Sequence, residues 1–352
     1  MQSAKLRRDE RQLCSAPILV GDIAPNCALP NLNGETIDLR ADSVAGNTIV
    51  LIFCPKFNDA TQRLLAAFRT NLALFQAAGA RLFAISRAPA STVAEEAIPF
   101  PVLVDREGQS FRDFGANLHG TPTTIVLRSN HHVSAIFDGL PAEQTSGALS
   151  VSERLAKERQ TAIMGMHPPV LIIPQVFSKS GCKRLIKVVD TRGQRFMDPG
   201  PGLDYLGTDY KMRIPEHMRE DRIDHWIFDK DTLEFLKHRL QRVWPEIRKA
   251  FQYNVTKYES FRIGCYQGSR GGYLHGHRDN IPPMTYRRFA MSINLNAEEF
   301  EGGELRFSEF GDQRYRPETG TAIVLSSSLL HEALHVTAGR RLVFLAFLFG
   351  NH

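Results

Sequence analysis

The stretch "GYLHGHRDN" (272–280) sets His275, His277 and Asp279 within one short segment. Imidazole and carboxylate are both donors to divalent transition metals. His277 and Asp279 stand two residues apart, so on an extended strand their side chains point to the same face. A metal needs a further ligand brought in by folding. "SSSLLHEALHVTAGRR" (326–341) offers His331 after an apolar run. Two imidazoles and one carboxylate on one side of a metal leave the opposite positions open. That donor set suits Fe(II), with exchangeable positions for a chelating ligand and O₂. His275 shares the strand parity of His277 and Asp279 and is a rival ligand; His335 rivals His331 in the same way.

Downstream of His331, Arg340 and Arg341 alternate faces, so one of them points inward. A buried Arg can hold a carboxylate bidentately with its planar fork. These residues need rigid elements to bring them together. From residue 256 onward the chain reads as short strands separated by frequent turns: "YESFRIGCY", "RRFAMSINLN", "GGELRFSEF", "YRPETGTAIVLSS", "LHEALHVTAG" and "RRLVFLAFLFG". That rhythm predicts an antiparallel sandwich or jelly roll. Ahead of it, "VLIIPQVF" (170–177) reads as a strand, and Ser178 as the cap of a helix through Cys182, Leu185, Ile186 and Val189. A longer helix is expected over about 231–251, with Leu233, Leu236, Leu240, Val243 and Ile247 on one face. Gly302-Gly303 reads as a turn.

Taken in order, "CYQGSRGGYLHGHRDN" (265–280), "RRFAMSINLN" (287–296), "EGGELRF" (301–307), "RPETGTAIVLSSSLLHE" (316–332) and "VTAGRR" (336–341) resemble the 2-oxoglutarate and Fe(II)-dependent dioxygenases, and within them the prolyl 4-hydroxylase-like branch. The resemblance covers about 168–350 and implies a double-stranded β-helix with flanking helices. It implies His277, Asp279 and His331 as iron ligands. The ten-residue offset from His331 selects Arg341 as the partner of the distal carboxylate of 2-oxoglutarate. Tyr266 is expected to line the cosubstrate pocket. Asn294 stands where several relatives carry a Tyr that bonds the same carboxylate. The implied cofactors are Fe(II) and 2-oxoglutarate, with ascorbate as an accessory. The implied reaction is hydroxylation of an unactivated C–H bond in a peptidyl or free amino acid or another small molecule, with release of succinate and CO₂. Substrate contacts are expected from "MDPGPGLDYLGTDYKMR" (197–213) and "NIPPMTYRR" (280–288), while Arg213, Arg219 and Arg287 read as solvated arginines.

The first half alternates strands and helices, the pattern of an α/β sheet. "NTIVLIFCP" (47–55) is a continuous apolar run, expected to be buried on both faces. Leu64, Leu65, Phe68, Leu72 and Phe75 follow at helical spacing, closed by Gly79. "ARLFAIS" (80–86) is a second strand, and "FPVLVDREGQSFRDFGA" a strand, turn and helix. "TPTTIVLRSNHHVSAIFDG" (121–139) is two strands around a turn at Ser129-Asn130. "GDIAPNCALPNLNGETIDL", the strand ending in "FCPK", and "GTPTTIVL" make residues 17–140 resemble the peroxiredoxin (AhpC/TSA) branch of the thioredoxin fold. The resemblance implies a cis bond before Pro122. The loop "PKFNDATQ" (55–62), where that family carries its peroxidatic Cys, contains none. Cys54 lies before the loop and reads as a small buried hydrophobe. The alternatives are a thiol peroxidase or reductase working through Cys54 or Cys27, and a non-catalytic binding or adaptor protein whose iron site is vestigial. The domain is expected to be a degenerate redoxin that docks a partner protein.

The expected organisation is thus an N-terminal extension (1–16), a thioredoxin-like α/β domain (17–140), a linker (141–167) and the jelly-roll domain (168–352). Composition fits this: 43% hydrophobic and 23% charged residues are ordinary for a globular protein. The net charge of +5 is spread rather than run together, so a nucleic-acid partner is not expected. No run approaches a membrane span. Residues 1–20 lack a signal-peptide core, and Cys14, Cys27, Cys54, Cys182 and Cys265 form no CxxC. A reducing, cytoplasmic location is expected.

Overall fold

A run such as TIVLIFC (48–54) has two apolar faces and must cover both; all of it is buried. The computed structural model describes residues 17–88, 98–158, 163, 165–192 and 222–350. The chain divides into two units, residues 1–162 and 163–352. The first runs β1 (Ala28–Pro30), β2 (Thr36–Asp38), β3 (Thr48–Cys54), α1 (Asp59–Thr70), α2 (Leu72–Ala77), β4 (Ala80–Ser86), β5 (Val102–Val104), α3 (Gln109–Asp113), β6 (Thr123–Leu127), β7 (Val133–Phe137) and α4 (Pro141–Glu158). The sheet order is β5-β4-β3-β6-β7. β3 pairs parallel with β4 and antiparallel with β6. Alternate residues of β3 feed two cores: Ile49, Leu51 and Phe53 join Phe111 and Phe114 on one face. Val50, Ile52 and Cys54 join Leu64, Phe68 and Phe75 on the other. This is the thioredoxin-like α/β arrangement expected.

Three details differ from expectation. The helix over Leu64–Phe75 is broken, because Asn71 ends α1 by donating from its own side chain to the Ala67 carbonyl (2.9 Å). The expected linker begins with α4, which is part of the first unit. Its residues Gln144, Ala148, Ser152 and Leu155 recur at helical spacing, and Ala148 and Leu155 pack into the core with Val126. The bond before Pro122 is not cis: among the described residues the cis bond joins Pro282 and Pro283. Pro122 stands just before β6, where no ladder N–H is needed and its fixed φ suits strand entry. Its carbonyl accepts from Gln144 Nε2 of α4 (2.9 Å), and Gln144 Oε1 accepts from Thr124 (2.7 Å).

The second unit runs β8 (Leu171–Ile173), α5 (Lys179–Arg192), β9 (Arg222–Trp226), α6 (Lys230–Leu240), α7 (Val243–Phe251), β10 (Lys257–Tyr258), β11 (Arg262–Gln267), β12 (Leu274–His277), β13 (Phe289–Asn294), β14 (Phe300–Gly302), β15 (Leu305–Arg306), β16 (Arg314–Tyr315), β17 (Ala322–Ser326), β18 (His331–Ala333) and β19 (Val336–Phe349). A larger antiparallel sheet has the order β8-β17-β13-β19-β11-β9, with β10 and β14 also on β19; a smaller one has the order β12-β18-β15-β16. Together they make the expected jelly roll. Ser178 caps α5 through Gly181 N–H (3.1 Å), as expected. The long helix expected over 231–251 is two. Asp229 caps α6, and Pro245 sits in the first turn of α7, where a missing N–H costs nothing but would interrupt a continuous helix.

The larger sheet is amphipathic in the opposite sense to a surface sheet, apolar on both sides. Ile263, Cys265, Met291, Ile293, Leu342 and Phe344 face α5, α6 and α7. Tyr266, Ala290, Ile323, Leu325, Val343 and Phe347 face the smaller sheet, packing with Leu305, Phe307 and Ala333. The inward face of β11, β13 and β19 therefore looks toward the strands that carry His277 and His331. The N-terminal extension with Cys14, the 197–213 loop, Arg213 and Arg219 lie outside the described residues. No helix among the described residues is long and apolar enough to cross a membrane.

Candidate functional site

β12 and β18 pair antiparallel with His277 directly opposite His331, and the two imidazole centroids are 4.4 Å apart. Asp279 lies just beyond β12. Its N–H is anchored on the Ser327 carbonyl (2.9 Å), which turns its carboxylate back between the two rings. Asp279 Oδ1 is 3.5 Å from His277 Nε2, and Oδ2 is 3.4 Å from His331 Nε2. One donor atom from each of the three lies within 4.8 Å of the others. Asp279 and His331 are buried, and His277 half-buried.

Each histidine is held by its other nitrogen. His277 Nδ1 bonds the His275 carbonyl (2.7 Å) and His331 Nδ1 the Leu329 carbonyl (3.0 Å). A carbonyl accepts only, so each Nδ1 carries the proton and each Nε2 presents its lone pair. Burial works to lower the His277 pKa, but the Asp279 hydrogen bond and charge outweigh it and the net shift is upward. Burial pushes Asp279 up, yet His277 and His331 pull it below its usual value. His331 is lowered, first by burial. The pattern is that of a carboxylate and two basic nitrogens competing for one positive charge, a donor set that fits a divalent cation.

The rival ligands are elsewhere. A bulge between Leu274 and His277 breaks the parity on which His275 was a candidate. His275 is exposed and bonds Tyr273 OH through Nε2 (3.0 Å). His335 is exposed, bonds the Gly271 carbonyl through Nδ1 (2.7 Å) and stacks on Tyr273.

Arg341 is 3% exposed on the inward face of β19, whereas Arg340 turns outward to Asp190 (2.9 Å), the alternation expected. Arg341 pairs in register with Tyr266 and lies over its ring (5.1 Å). Its Nε donates to Asn294 Oδ1 (3.2 Å), and Asn294 Nδ2 donates to the Pro317 carbonyl (3.0 Å). Asn294 thus orients the guanidinium. Among the described residues no carboxylate pairs with Arg341. Burial and the Arg222 charge pull its pKa down, against Tyr266 and Glu304. A buried cation that pairs with no carboxylate is costly unless an anion joins it. Gly303 makes the space: its φ is +66°, and a Cβ there would stand 3.0 Å from Arg341 Cδ.

Sequence reasoning missed the charged residues around this core. Arg287, read as solvated, is clamped to Glu259 (Nε 2.5 Å, NH2 2.7 Å). Arg222 donates to Tyr266 OH (3.4 Å) and to Asp224 (3.0 Å). Parity would have found Arg262, four residues before Tyr266 and therefore on the same face.

A jelly roll with two histidines, one aspartate and a buried arginine on its inward faces is the domain of a 2-oxoglutarate-dependent dioxygenase, here sharing a chain with a thioredoxin-like domain. Residues 261–349 match the 2OG-Fe(II) oxygenase superfamily. Residues 20–136 match the AhpC/TSA family. Among curated proteins none matches significantly. Among solved structures, the chain is similar to the viral collagen prolyl hydroxylase of Paramecium bursaria Chlorella virus-1 in its 2OG complex (18% identity over 52% of this chain and 96% of that one, TM-score 0.37). It is also similar to a peroxidoxin from Mycobacterium tuberculosis (20%, 40% and 98%, 0.35) and to peroxiredoxin Q from Xanthomonas campestris (21%, 39% and 99%, 0.35).

Among the described residues of the first unit, neither thiol is ready for redox chemistry. Cys54 is 1% exposed, and burial pushes its pKa up to about 12. Burial also lifts Cys27 to about 11, with Ser110 acting in the lowering sense. The 55–62 loop is instead a capped helix start: Asn58 accepts from Thr61 N–H (3.2 Å). A raised thiol pKa means that thiolate appears only at high pH, so both cysteines stay protonated near pH 7. Iodoacetamide on the native protein at pH 7.5 should leave Cys54 unmodified, and alkylate it only after denaturation. Rapid native labelling of Cys54, read by peptide mass, would restore a thiol role.

Proposed function

We propose that the second domain hydroxylates an unactivated C–H bond of a peptidyl or free amino acid, or of another small molecule, consuming 2-oxoglutarate and O₂ and releasing succinate and CO₂. The observation that carries this is the convergence of His277, Asp279 and His331 in a jelly roll whose inward face also holds a buried arginine that pairs with no carboxylate among the described residues.

On this reading His277 Nε2, His331 Nε2 and one Asp279 oxygen hold Fe(II). Bound there with 2-oxoglutarate, the metal supplies the activation of O₂ coupled to decarboxylation of the cosubstrate. The protein supplies position and dryness. The Nδ1 bonds to backbone carbonyls fix the orientation and tautomer of each ring, leaving Nε2 as the donor atom. Arg341 grips the distal carboxylate of 2-oxoglutarate, Asn294 sets the guanidinium plane, and Tyr266 walls the pocket from water. Ascorbate keeps the metal ferrous. The first domain, with its thiols sealed, docks a protein partner in the cytoplasm.

Anaerobic titration of the purified chain with Fe(II) and then 2-oxoglutarate tests this. A visible metal-to-ligand charge-transfer band that saturates with both is expected. A chain that binds neither would end the proposal.

A further inference from the structure

Beyond Tyr266 the inward wall carries a row of charge. β9 pairs with β11 so that Arg222 faces Tyr266, Asp224 faces Gly264 and Trp226 faces Arg262. Even spacing puts all of these side chains on the same face as Arg341. Gly264 leaves the room: a Cβ there would meet Arg222 Cδ at 3.2 Å and Asp224 Oδ1 at 3.4 Å.

Two of the wall's three remaining cations are matched. Arg222 is held by Asp224 (Nε to Oδ1 2.8 Å, NH2 to Oδ2 3.0 Å), and Arg287 by Glu259 (2.5 and 2.7 Å). Arg262 shares the Asp224 carboxylate with Arg222, so these three arginines face two carboxylates and the wall keeps one positive charge in excess. The Arg262 Nε is 3.5 Å from Asp224 Oδ2 and makes no hydrogen bond, and its other nitrogens have no acceptor among the described residues. Its guanidinium lies over the rings of Trp226 (5.0 Å) and Phe347 (4.8 Å). Two rings fix the guanidinium plane without using its donors. The side chain is 13% exposed, neither sealed nor well hydrated.

Arg341 is built in a related way, a buried guanidinium over an aromatic ring, although Arg262 has Asp224 at ion-pair distance and Arg341 pairs with no carboxylate among the described residues. Arg262 also borders the metal-ligand segment. Phe347 lies under Arg287 (3.7 Å), whose NH1 donates to the Asp279 carbonyl (3.3 Å). Along β11, Arg262 stands roughly 13 Å from Tyr266, at about 3.3 Å per residue. That backbone spacing exceeds the length of a five-carbon diacid, which fits the two arginines serving different molecules.

We propose that Arg262 is a specificity-determining residue that grips a carboxylate of the oxygenated molecule, and that the substrate is therefore a small organic acid, such as a free amino acid, rather than a neutral peptide segment. This rests on the oxygenase reading of the same barrel and narrows it.

The test uses full-length protein loaded with Fe(II) and 2-oxoglutarate, as wild type, Arg262→Gln and Arg262→Lys. The anaerobic charge-transfer band is recorded first. Its absence in wild type would overturn the oxygenase reading itself; its loss only in a variant marks that variant as misfolded. Succinate release is then measured with each proteinogenic L-amino acid and with its carboxamide as probes. At least one free acid should stimulate release, and its carboxamide should do so at least about 30-fold less well in kcat/KM. Arg262→Gln should raise KM for the acid by at least about 30-fold and erase the preference over the carboxamide. Arg262→Lys should restore part of it, because it keeps the charge and loses the fork. With the band present, three results overturn the carboxylate assignment alone: equal use of acid and carboxamide, an acid KM that ignores Arg262→Gln, or no response to any acid. The wild-type acid-to-carboxamide comparison needs no variant and stands if both fail to fold.

Discussion

Asp279→Ala should abolish Fe(II) binding and 2-oxoglutarate turnover together, with the fold retained. Asp279 is the only carboxylate among the three donors and touches both imidazoles, at 3.5 and 3.4 Å. Its loss removes the one negative charge that offsets a dication. Outer partners of metal ligands typically cost 10–100-fold in affinity, so a ligand itself should cost more than about 100-fold. The stability effect on the metal-free protein should depend on pH, unlike ordinary core damage. In the free protein, the net upward shift of His277 comes from Asp279, outweighing burial. A raised histidine pKa contributes stability below the unfolded pKa that is lost as pH rises through the folded one. The stability gap between wild type and the metal-free variant that comes from this pair should therefore narrow as pH rises through the folded His277 pKa. Calorimetry with Mn(II) or Co(II) in place of iron reads the affinity without turnover. A variant that still binds metal within tenfold of wild type would show that this carboxylate is not a ligand.

What could be read in the sequence follows from how local its cause is. The apolar run at 48–54 and the strand rhythm after 256 are periodic, so both sheets were legible. The triad was legible because a short spacing, His277 to Asp279, met a distant His331 in an ordered set of motifs. Parity separated Arg341 from Arg340 because β19 is regular there. Parity failed at His275, where a bulge intervenes between Leu274 and His277. Helix ends were misread where one side chain decides: Asn71 splits α1 from α2, and Pro245 splits α6 from α7. The role of α4 was hidden because a mostly polar helix needs few apolar residues to dock; Ala148 and Leu155 suffice. Arginines were the hardest class. A long cationic side chain reads as solvated until the strands around it are paired, and only pairing shows Arg287 on Glu259 and Arg262 between two rings.

Arg341→Met should raise the Kd for 2-oxoglutarate by at least about 30-fold, the equivalent of 2 kcal/mol or more, while Fe(II) affinity in the absence of 2-oxoglutarate stays near wild type. The two effects separate because Arg341 bonds Asn294 and overlies Tyr266 but touches none of the three donors. Met keeps the length and apolar stem of the side chain, so packing against the Tyr266 ring survives. It removes a buried charge that no carboxylate among the described residues neutralises, and such a charge destabilises the free fold. The ligand-free variant should therefore melt no lower than wild type, and the stabilisation that 2-oxoglutarate gives the wild-type protein should shrink in the variant. Arg341→Lys should fall between the two, since an ammonium attracts the carboxylate without matching its two oxygens. A fall in Tm without a change in Kd would mean that Arg341 serves the core alone. An unchanged Kd together with an unchanged Tm would place the distal carboxylate elsewhere on the wall, with Arg222 the next cation along the same face.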